Sequence, residues 1–358
     1  MKIISSGKQK EKNVGLKPIE IEEREIRKLQ DFEETRPVQM DLFEFLEKQE
    51  KRYSNTIELY DFMPKYVWGK VKRINDTFLN SLERKFECRG VKYNIVISPA
   101  RLRLPSGGER EFFPGKREEL VEDALRKLAT RGAGLFLDEQ VGVTFTLYQL
   151  EQELRDNGHS YSIVQIKDAL LICARTNITV TSEDGASILV SNLFETLGLN
   201  SKEDWKGKGK KEKAFVRFNS LVTRSIKDGS FRLLNYEKAM SYKNVIARQL
   251  HKRMSHHYTQ AGLSHPYHIM LSTIIRDFGI AEYDRLSDNL KYVLKALDEM
   301  KEKMVLLSYR VEKTLAAGNR NKLVDAKLIL IPHFLSAEII EGNKQQQKVL
   351  EALKTADK

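Results

Sequence analysis

Cysteine is scarce: Cys88 and Cys173 are the two in 358 residues, and they stand far apart in the chain. Two distant thiols cannot build the disulfide lattice of a small secreted fold, and no paired spacing suits a zinc site. Cys173 reads as a reduced, buried thiol. Long apolar runs are absent as well, since none approaches the roughly 20 residues needed to cross a bilayer. The opening Met1-Lys2-Ile3-Ile4-Ser5 has no apolar stretch of signal-peptide length. The cytoplasm is therefore the expected compartment, with no membrane partner.

Catalytic patterns are missing too. Lys206-Gly207-Lys208-Gly209-Lys210-Lys211-Glu212-Lys213 looks superficially like a phosphate loop. The order Gly-x-x-x-x-Gly-Lys-Ser/Thr is absent, which argues against nucleotide hydrolysis. His256-His257-Tyr258 are contiguous and lack the His-apolar-His spacing of metal-dependent nicking enzymes. His265 and His268 form a second cluster, but spacing alone does not make a metal site. Scattered Ser, His and Asp residues compose no persuasive triad. Glu118, Glu119, Glu122 and Asp123 are expected on the solvent side of a helix. The chain reads as non-enzymatic, with no cofactor and no metal.

Charge is what the sequence has, and it is unevenly placed. Residues 1–201 carry 31 Lys+Arg against 32 Asp+Glu, while residues 202–358 carry 30 against 18. The second part thus holds the whole surplus behind the net charge of +11. A basic surplus on one part of a chain favours a polyanion through counterion release. At 41% hydrophobic and 31% charged, the chain has the composition of a soluble protein long enough for two cored domains.

Residues 1–36 mix Lys, Glu and Arg with few aromatics and read as a flexible arm. Residues 39–52 are amphipathic. Asn55-Thr56-Ile57-Glu58-Leu59-Tyr60-Asp61 leads to Pro64, with Tyr66, Val67 and Trp68 as an apolar anchor. Residues 91–97 form a strand by their β-branched content, and Ser106-Gly107-Gly108 a turn. A helix is predicted over 117–130 from Leu120, Val121, Ala124, Leu125 and Leu128. Thr146 and Gln149 form a capping box for the next helix, whose stripe is Leu147, Leu150 and Leu154 and whose stop is Asn157-Gly158. A second helix runs from Ser162 to about Ala174, with Ile163, Ile166, Leu170 and Cys173 inward. Strands at 178–181 and 188–190 flank Glu183-Asp184-Gly185 as a hairpin, and a strand follows at 215–218.

The same order returns further on. A helix at about 237–257 buries Val245, Ile246, Leu250 and Met254. Ser264 and Pro266 start another, carrying Ile269, Leu271, Ile274 and Ile275 and ended by Gly279. The next helix has the clearest stripe: Leu286, Leu290, Val293, Leu294, Leu297 and Met304 recur at three and four, with Asp284 or Ser287 as its cap. A hairpin follows, 305–313 out and 323–331 back, with 317–322 at the tip. Helix, turn, helix and hairpin make the winged form of the helix-turn-helix, whose second helix enters the DNA major groove. The fold class expected is α+β, two tandem winged-helix domains with a flexible N-terminal arm. The arm covers 1–54, the domains 55–222 and 223–342, and a tail 343–358.

On the last long helix, Asp288, Lys291, Tyr292 and Lys295 lie away from the stripe, with Arg285 and Asn289 near its start. Arg reads guanine, Asn reads adenine, and Lys reaches base or phosphate. The bland alternative is an exposed face of i,i+4 ion pairs. The basic surplus, together with Arg320 and Lys322 on the wing, favours DNA, with the wing in a minor groove or on the backbone. The first repeat offers Ser160, Ser162, Gln165 and Lys167, beside His159 in the turn. Its acidic Glu183-Asp184 turn would be repelled by phosphate, so it is expected to contact DNA less strongly or to serve as a dimer surface. Lys208, Lys210 and Lys211 of the glycine-rich loop suit phosphate.

In the arm, Gln39-Met40-Asp41-Leu42-Phe43 can place Leu42 and Phe43 in a pocket while Gln39 hydrogen-bonds at its rim. This peptide resembles the Gln-Leu-Ser/Asp-Leu-Phe sequence with which bacterial proteins engage the DNA polymerase sliding clamp, Met40 replacing the usual Leu. Together with residues 55–61 and the tandem winged domains, it makes the chain resemble plasmid replication initiators, notably those of broad-host-range plasmids, over about residues 39–335. The resemblance implies binding of double-stranded DNA at direct repeats (iterons) of a plasmid origin and local duplex opening. It further implies recruitment of the host initiator, replicative helicase and clamp, and a monomer–dimer equilibrium in which dimers repress the protein's own gene. A winged-helix transcriptional regulator is the alternative, and a repressor has no use for a clamp peptide. A nicking replication enzyme is the third.

Overall fold

The computed structural model describes residues 53–69, 71–75, 77, 79–105, 107–130, 134–137, 140–199, 214–228, 230–258, 265–317 and 319–333. All belong to one compact unit, residues 41–358. The arm with Gln39, Leu42 and Phe43, the loop with Lys208, Lys210 and Lys211, and the tail lie outside the described residues.

The protein mixes helices and antiparallel strands. β1 (Tyr53–Thr56) and the short α1 (Glu58–Phe62) precede β2 (Leu82–Cys88), β3 (Val91–Ser98) and the ribbon of β4 (Ala100–Arg103) and β5 (Glu109–Phe112). Next come α2 (Lys116–Leu128), β6 (Gly134–Leu137), β7 (Gln140–Phe145), α3 (Leu147–Asp156) and α4 (Ile163–Arg175). β8 (Asn177–Ser182), β9 (Ile188–Asn192), β10 (Phe194–Gly198) and β11 (Ala214–Phe218) follow. α5 (Ser220–Lys227), β12 (Arg232–Asn235) and α6 (Tyr236–Ser241) close the first lobe, and β12 pairs with β1, Tyr53 opposite Asn235. The second lobe holds α7 (Val245–His257), β13 (Tyr267–Met270), α8 (Leu271–Asp277), α9 (Leu286–Glu302), β14 (Leu306–Ala316) and β15 (Asn319–Pro332).

Local chemistry sets the helix ends. The Gln149 N–H donates to Thr146 Oγ1 at 3.0 Å, and the Thr146 N–H donates to Gln149 Oε1 at 2.8 Å. Ser162 and Gln165 repeat this reciprocal cap on α4, at 3.3 and 2.9 Å. Gly158, at φ +83°, turns the chain out of α3 in a conformation that a Cβ would disfavour. In the second lobe, Asp325 of β15 caps α8: Oδ1 accepts from the Ser272 N–H at 3.1 Å and Oδ2 from its hydroxyl at 2.6 Å. The hairpin is thereby tied to the helix in front of α9.

Among the described residues two large apolar cores result, beside a small cluster of Ala100, Leu102 and Ile172. One gathers side chains from Ile57 to Met240, the other from Tyr242 to Leu330. The change falls later than the 222/223 division read from the sequence, because β12 and α6 pack with β1. Leu290, Val293, Ala296, Leu297 and Met300 of α9 are buried against α7 and the inner residues Ala326, Leu328 and Leu330 of β15. Each buried Leu or Val contributes about 1.5–3 kcal/mol relative to exposure.

Several expectations need correction. The helix expected over 237–257 is two, broken at Tyr242–Asn244, where the Asn244 side chain accepts the Ile246 N–H at 2.9 Å and starts α7 afresh. Ile269 belongs to a strand: Tyr267–Met270 pairs with β15, and α8 begins only at Leu271. Met304 lies beyond α9 at φ +55° and is exposed, so the buried stripe ends at Met300. Glu118, Glu119, Glu122 and Asp123 do not face water; all four are buried. Helix α2 is covered from Glu118 to Lys127: Glu119 and Asp123 pair with Arg248 and Lys252 of α7, Glu122 accepts the Tyr66 hydroxyl, and Glu118 pairs with Arg117 of its own helix.

Candidate nucleic-acid interface

Helix α9 presents the surface of interest. Lys291 and Lys295 are exposed, Asp288 and Tyr292 half-buried, and Arg285 is exposed at the N-cap position, where its side chain makes no capping bond. Lys291 Nζ sits 2.9 Å from Asp288 Oδ1. Among the described residues, the side chains of Arg285 and Lys295 have no hydrogen-bond or ion-pair partner. Tyr292 lies close to Tyr283, and burial raises its phenol pKa, with Tyr283 adding to the effect.

Asn289 departs from the expected role. Its side chain is 1% exposed, accepting from the Tyr283 N–H and donating to the Ala281 carbonyl, both at 2.9 Å. It holds the loop before α9 and cannot reach a base edge without giving up both bonds.

The hairpin stands beside this helix. Tyr309 of β14 donates its hydroxyl to Asp298 Oδ1 at 2.7 Å, which pins the strand to the C-terminal half of α9. Lys322 is exposed, and Arg320 belongs to β15 with its side chain outside the described residues. Arg310 and Lys313 are exposed on β14 and were missed by the sequence reading. For Arg310, opposite Ile329, the period-two alternation that buries Ala326, Leu328 and Leu330 was the available signal; Lys313, opposite Ala326, has no such mark.

In the first lobe, Ser160, Ser162 and Gln165 are exposed before and on the first turn of α4, and Lys167 is half-buried. The Ser162 hydroxyl and the Gln165 carbonyl oxygen are already used in the cap. The C-terminal half of α4 is covered by the β4–β5 ribbon, through Ala100, Leu102 and Ile172. The β8–β9 turn carries Glu183 and Asp184; Glu183 lies 3.5 Å from Lys92, and Asp184 accepts from Ser182 and Ala186.

A buried polar seam fixes one lobe against the other. From α7, Arg248 Nε donates to Glu119 Oε2 of α2 at 3.0 Å, and Gln249 Nε2 donates to Oε1 at 2.6 Å. Lys252 Nζ donates to both oxygens of Asp123, at 2.8 and 2.7 Å. Behind them Arg126 grips Asp61 with two bonds of 2.7 Å, and Thr56 and the Ile57 N–H donate to the same carboxylate. Burial alone would raise the Asp61 carboxyl, but Arg126, Lys252 and Lys65 outweigh it and hold it well below the usual carboxylate range. Glu119 is likewise lowered, its burial overcome by Arg248 and Lys252. Residues 55–61 are therefore a structural knot at the lobe junction.

His256 and His257 close one end of the seam, their rings against Phe62 at 5.5 and 5.0 Å. Burial pushes the His256 imidazole down to about 4. No group of three or more His, Cys, Asp or Glu among the described residues could hold a metal ion. None of the described helices is long and apolar enough to cross a membrane.

No family model and no curated protein matches this chain. Among solved structures it is similar to a selenomethionine derivative of domains 2 and 3 of RctB, at TM-score 0.44 and 11% identity, over 72% of this chain and 92% of that one. A second structure of RctB domains 2–3 gives TM-score 0.44 and 11% identity over 75% and 97%. The Pi initiator protein in complex with iteron DNA gives TM-score 0.41 and 11% identity over 60% and 90%.

Proposed function

We propose that this protein is a sequence-specific binder of double-stranded DNA that initiates plasmid replication at repeats in an origin, and that it is not an enzyme. Each lobe contributes a winged helix, α3–α4 with β8–β9 and α8–α9 with β14–β15. The second lobe supplies most of the affinity. The observation that carries this reading is the open side of α9, where Arg285, Lys291 and Lys295 stand clear of the packed side next to a hairpin bearing Arg310, Lys313 and Lys322. An ordinary solvated helix face would need no such basic ribbon beside it. The arm peptide Gln39-Met40-Asp41-Leu42-Phe43 would bring the sliding clamp, with the host initiator and helicase recruited to the opened duplex. Dimers would repress the protein's own gene.

Two experiments test this. Randomised duplexes selected on the full chain should yield a two-block motif, and a plasmid carrying repeats of that motif should be maintained only when the protein is supplied. Enrichment no better than a non-specific basic protein gives would refute the DNA reading; maintenance without the protein would refute the initiator role. Leu42→Ala with Phe43→Ala should abolish clamp capture and leave DNA affinity unchanged, and capture that persists removes the peptide from the account.

A further inference from the structure

The lobes meet a second time, away from the α2–α7 seam, and this contact falls on the turn between α8 and α9. Trp68 donates its indole N–H to the Phe278 carbonyl at 2.6 Å, and its ring packs against both apolar cores. The next residue, Gly279, has φ +60°. A Cβ placed there would lie 2.5 Å from Nη1 and 2.7 Å from Cζ of Arg84. That guanidinium is not loose: Nη1 donates to the carbonyls of Pro64 and Tyr66, both at 2.6 Å. At the end of α8, Asp277 is buried, with Oδ1 accepting the backbone N–H of Glu87 at 3.3 Å. Arg276 spans Asp277 and the Glu87 carboxylate, at 2.7 and 3.4 Å. Arg253 of α7 reaches Asp277 at 3.0 Å.

These contacts hold the pivot of the second lobe's two helices. Residues 278–285 connect α8 to α9, and first-lobe groups grip the first two of them: an indole on one carbonyl, an anchored guanidinium over the glycine. A lobe junction meant only to bury surface would not need a donor aimed at the turn carbonyl or a glycine closed off by an arginine. We propose that Trp68, Arg84 and Glu87 are positioning residues for DNA recognition by the other lobe. By fixing the α8–α9 turn they set one separation between α9 and α4, so the protein accepts two-block sites of a single spacing. This rests on the DNA-binding reading above and adds to it a rule about the site.

The test uses randomised duplexes selected on the full chain, wild type against Trp68→Phe and Gly279→Ala. Trp68→Phe keeps an aromatic ring and removes the donor; Gly279→Ala pushes on Arg84 and disfavours the positive φ. The wild type should enrich two blocks at one spacing. The variants should enrich the same blocks at several spacings and bind the wild-type spacing about tenfold more weakly, as expected for a lost hydrogen bond. A purely structural role would lower folded yield and overall affinity without spreading the spacing. Should Gly279→Ala fail to fold, Trp68→Phe decides alone. A single spacing kept by every folded variant overturns the proposal, as does a wild-type motif of only one block. Failure of the wild type to enrich any motif overturns the DNA-binding reading itself.

Discussion

Glu119 of α2 and Arg248 of α7 are 129 residues apart in sequence and form an ion pair at 2.9 Å with neither side chain exposed. Charges removed this far from water are costly, and their attraction repays the cost only with the right geometry. Removing Arg248 leaves Glu119 with only Lys252 as a cation, at 3.5 Å and shared with Asp123. Arg248→Met should therefore destabilise the protein by about 3–5 kcal/mol in urea unfolding. Adding Glu119→Gln should recover part of that loss, because the carboxylate that Lys252 alone no longer balances is neutralised while an acceptor for Gln249 remains. A double-mutant cycle with no coupling would contradict the seam.

Acid should loosen the same junction. His256 is 8% exposed, and burial takes its pKa from 6.5 to about 4. Between those values the unfolded chain binds a proton that the folded chain refuses, so stability is complete above pH 6.5 and falls as the pH drops toward 4. The loss from this group is on the order of 3 kcal/mol. Asp61, lowered in the fold, keeps its contribution until the pH falls below the ordinary carboxylate range. His256→Phe, which retains a ring against Phe62, should flatten the slope between pH 6.5 and 4 in denaturant titrations. A slope equal to that of the wild type would remove His256 from the linkage.

The Asp325 cap on α8 gives a smaller, local effect. Asp325→Ala strands the Ser272 N–H and should cost about 1 kcal/mol. Amide exchange should quicken in the first turn of α8 and in β15 together, since one carboxylate joins them. Faster exchange across α2, with α8 unaffected, would contradict the assignment.

Under the proposed DNA-binding role, Asp288 would offset Lys291. The 2.9 Å pair consumes part of the lysine's charge and places a carboxylate where phosphate would approach. Asp288→Asn should raise affinity for the selected duplex a few-fold in anisotropy titrations at moderate salt, about the worth of an exposed charge pair. Unchanged or weaker binding would place the duplex elsewhere.

Much of the architecture was legible because short-range chemistry specifies it. The Thr146–Gln149 cap, the Asn157-Gly158 stop, the Glu183-Asp184-Gly185 turn and the α9 stripe are all written within a few residues of where they act. Two of the misreadings share one cause: the deciding partner lies far along the chain. Charges on α2 were assigned to water because Arg248 and Lys252 carry no local mark near residue 119. Tyr267–Met270 fits helical spacing until β15 pairs with it. Asn289 looked free on a helical wheel, yet a loop folds back and takes both ends of its amide. The exposed lysines of α9 were readable because no distant partner intervenes.

The most direct test of the central claim is the salt dependence of binding to the selected duplex, wild type against the Lys291→Ala/Lys295→Ala double variant. Two fewer phosphate contacts should make the slope of log affinity against log salt shallower by about 2, with the ranking of duplex sequences preserved. Parallel lines for the two proteins would mean that the open side of α9 does not meet DNA.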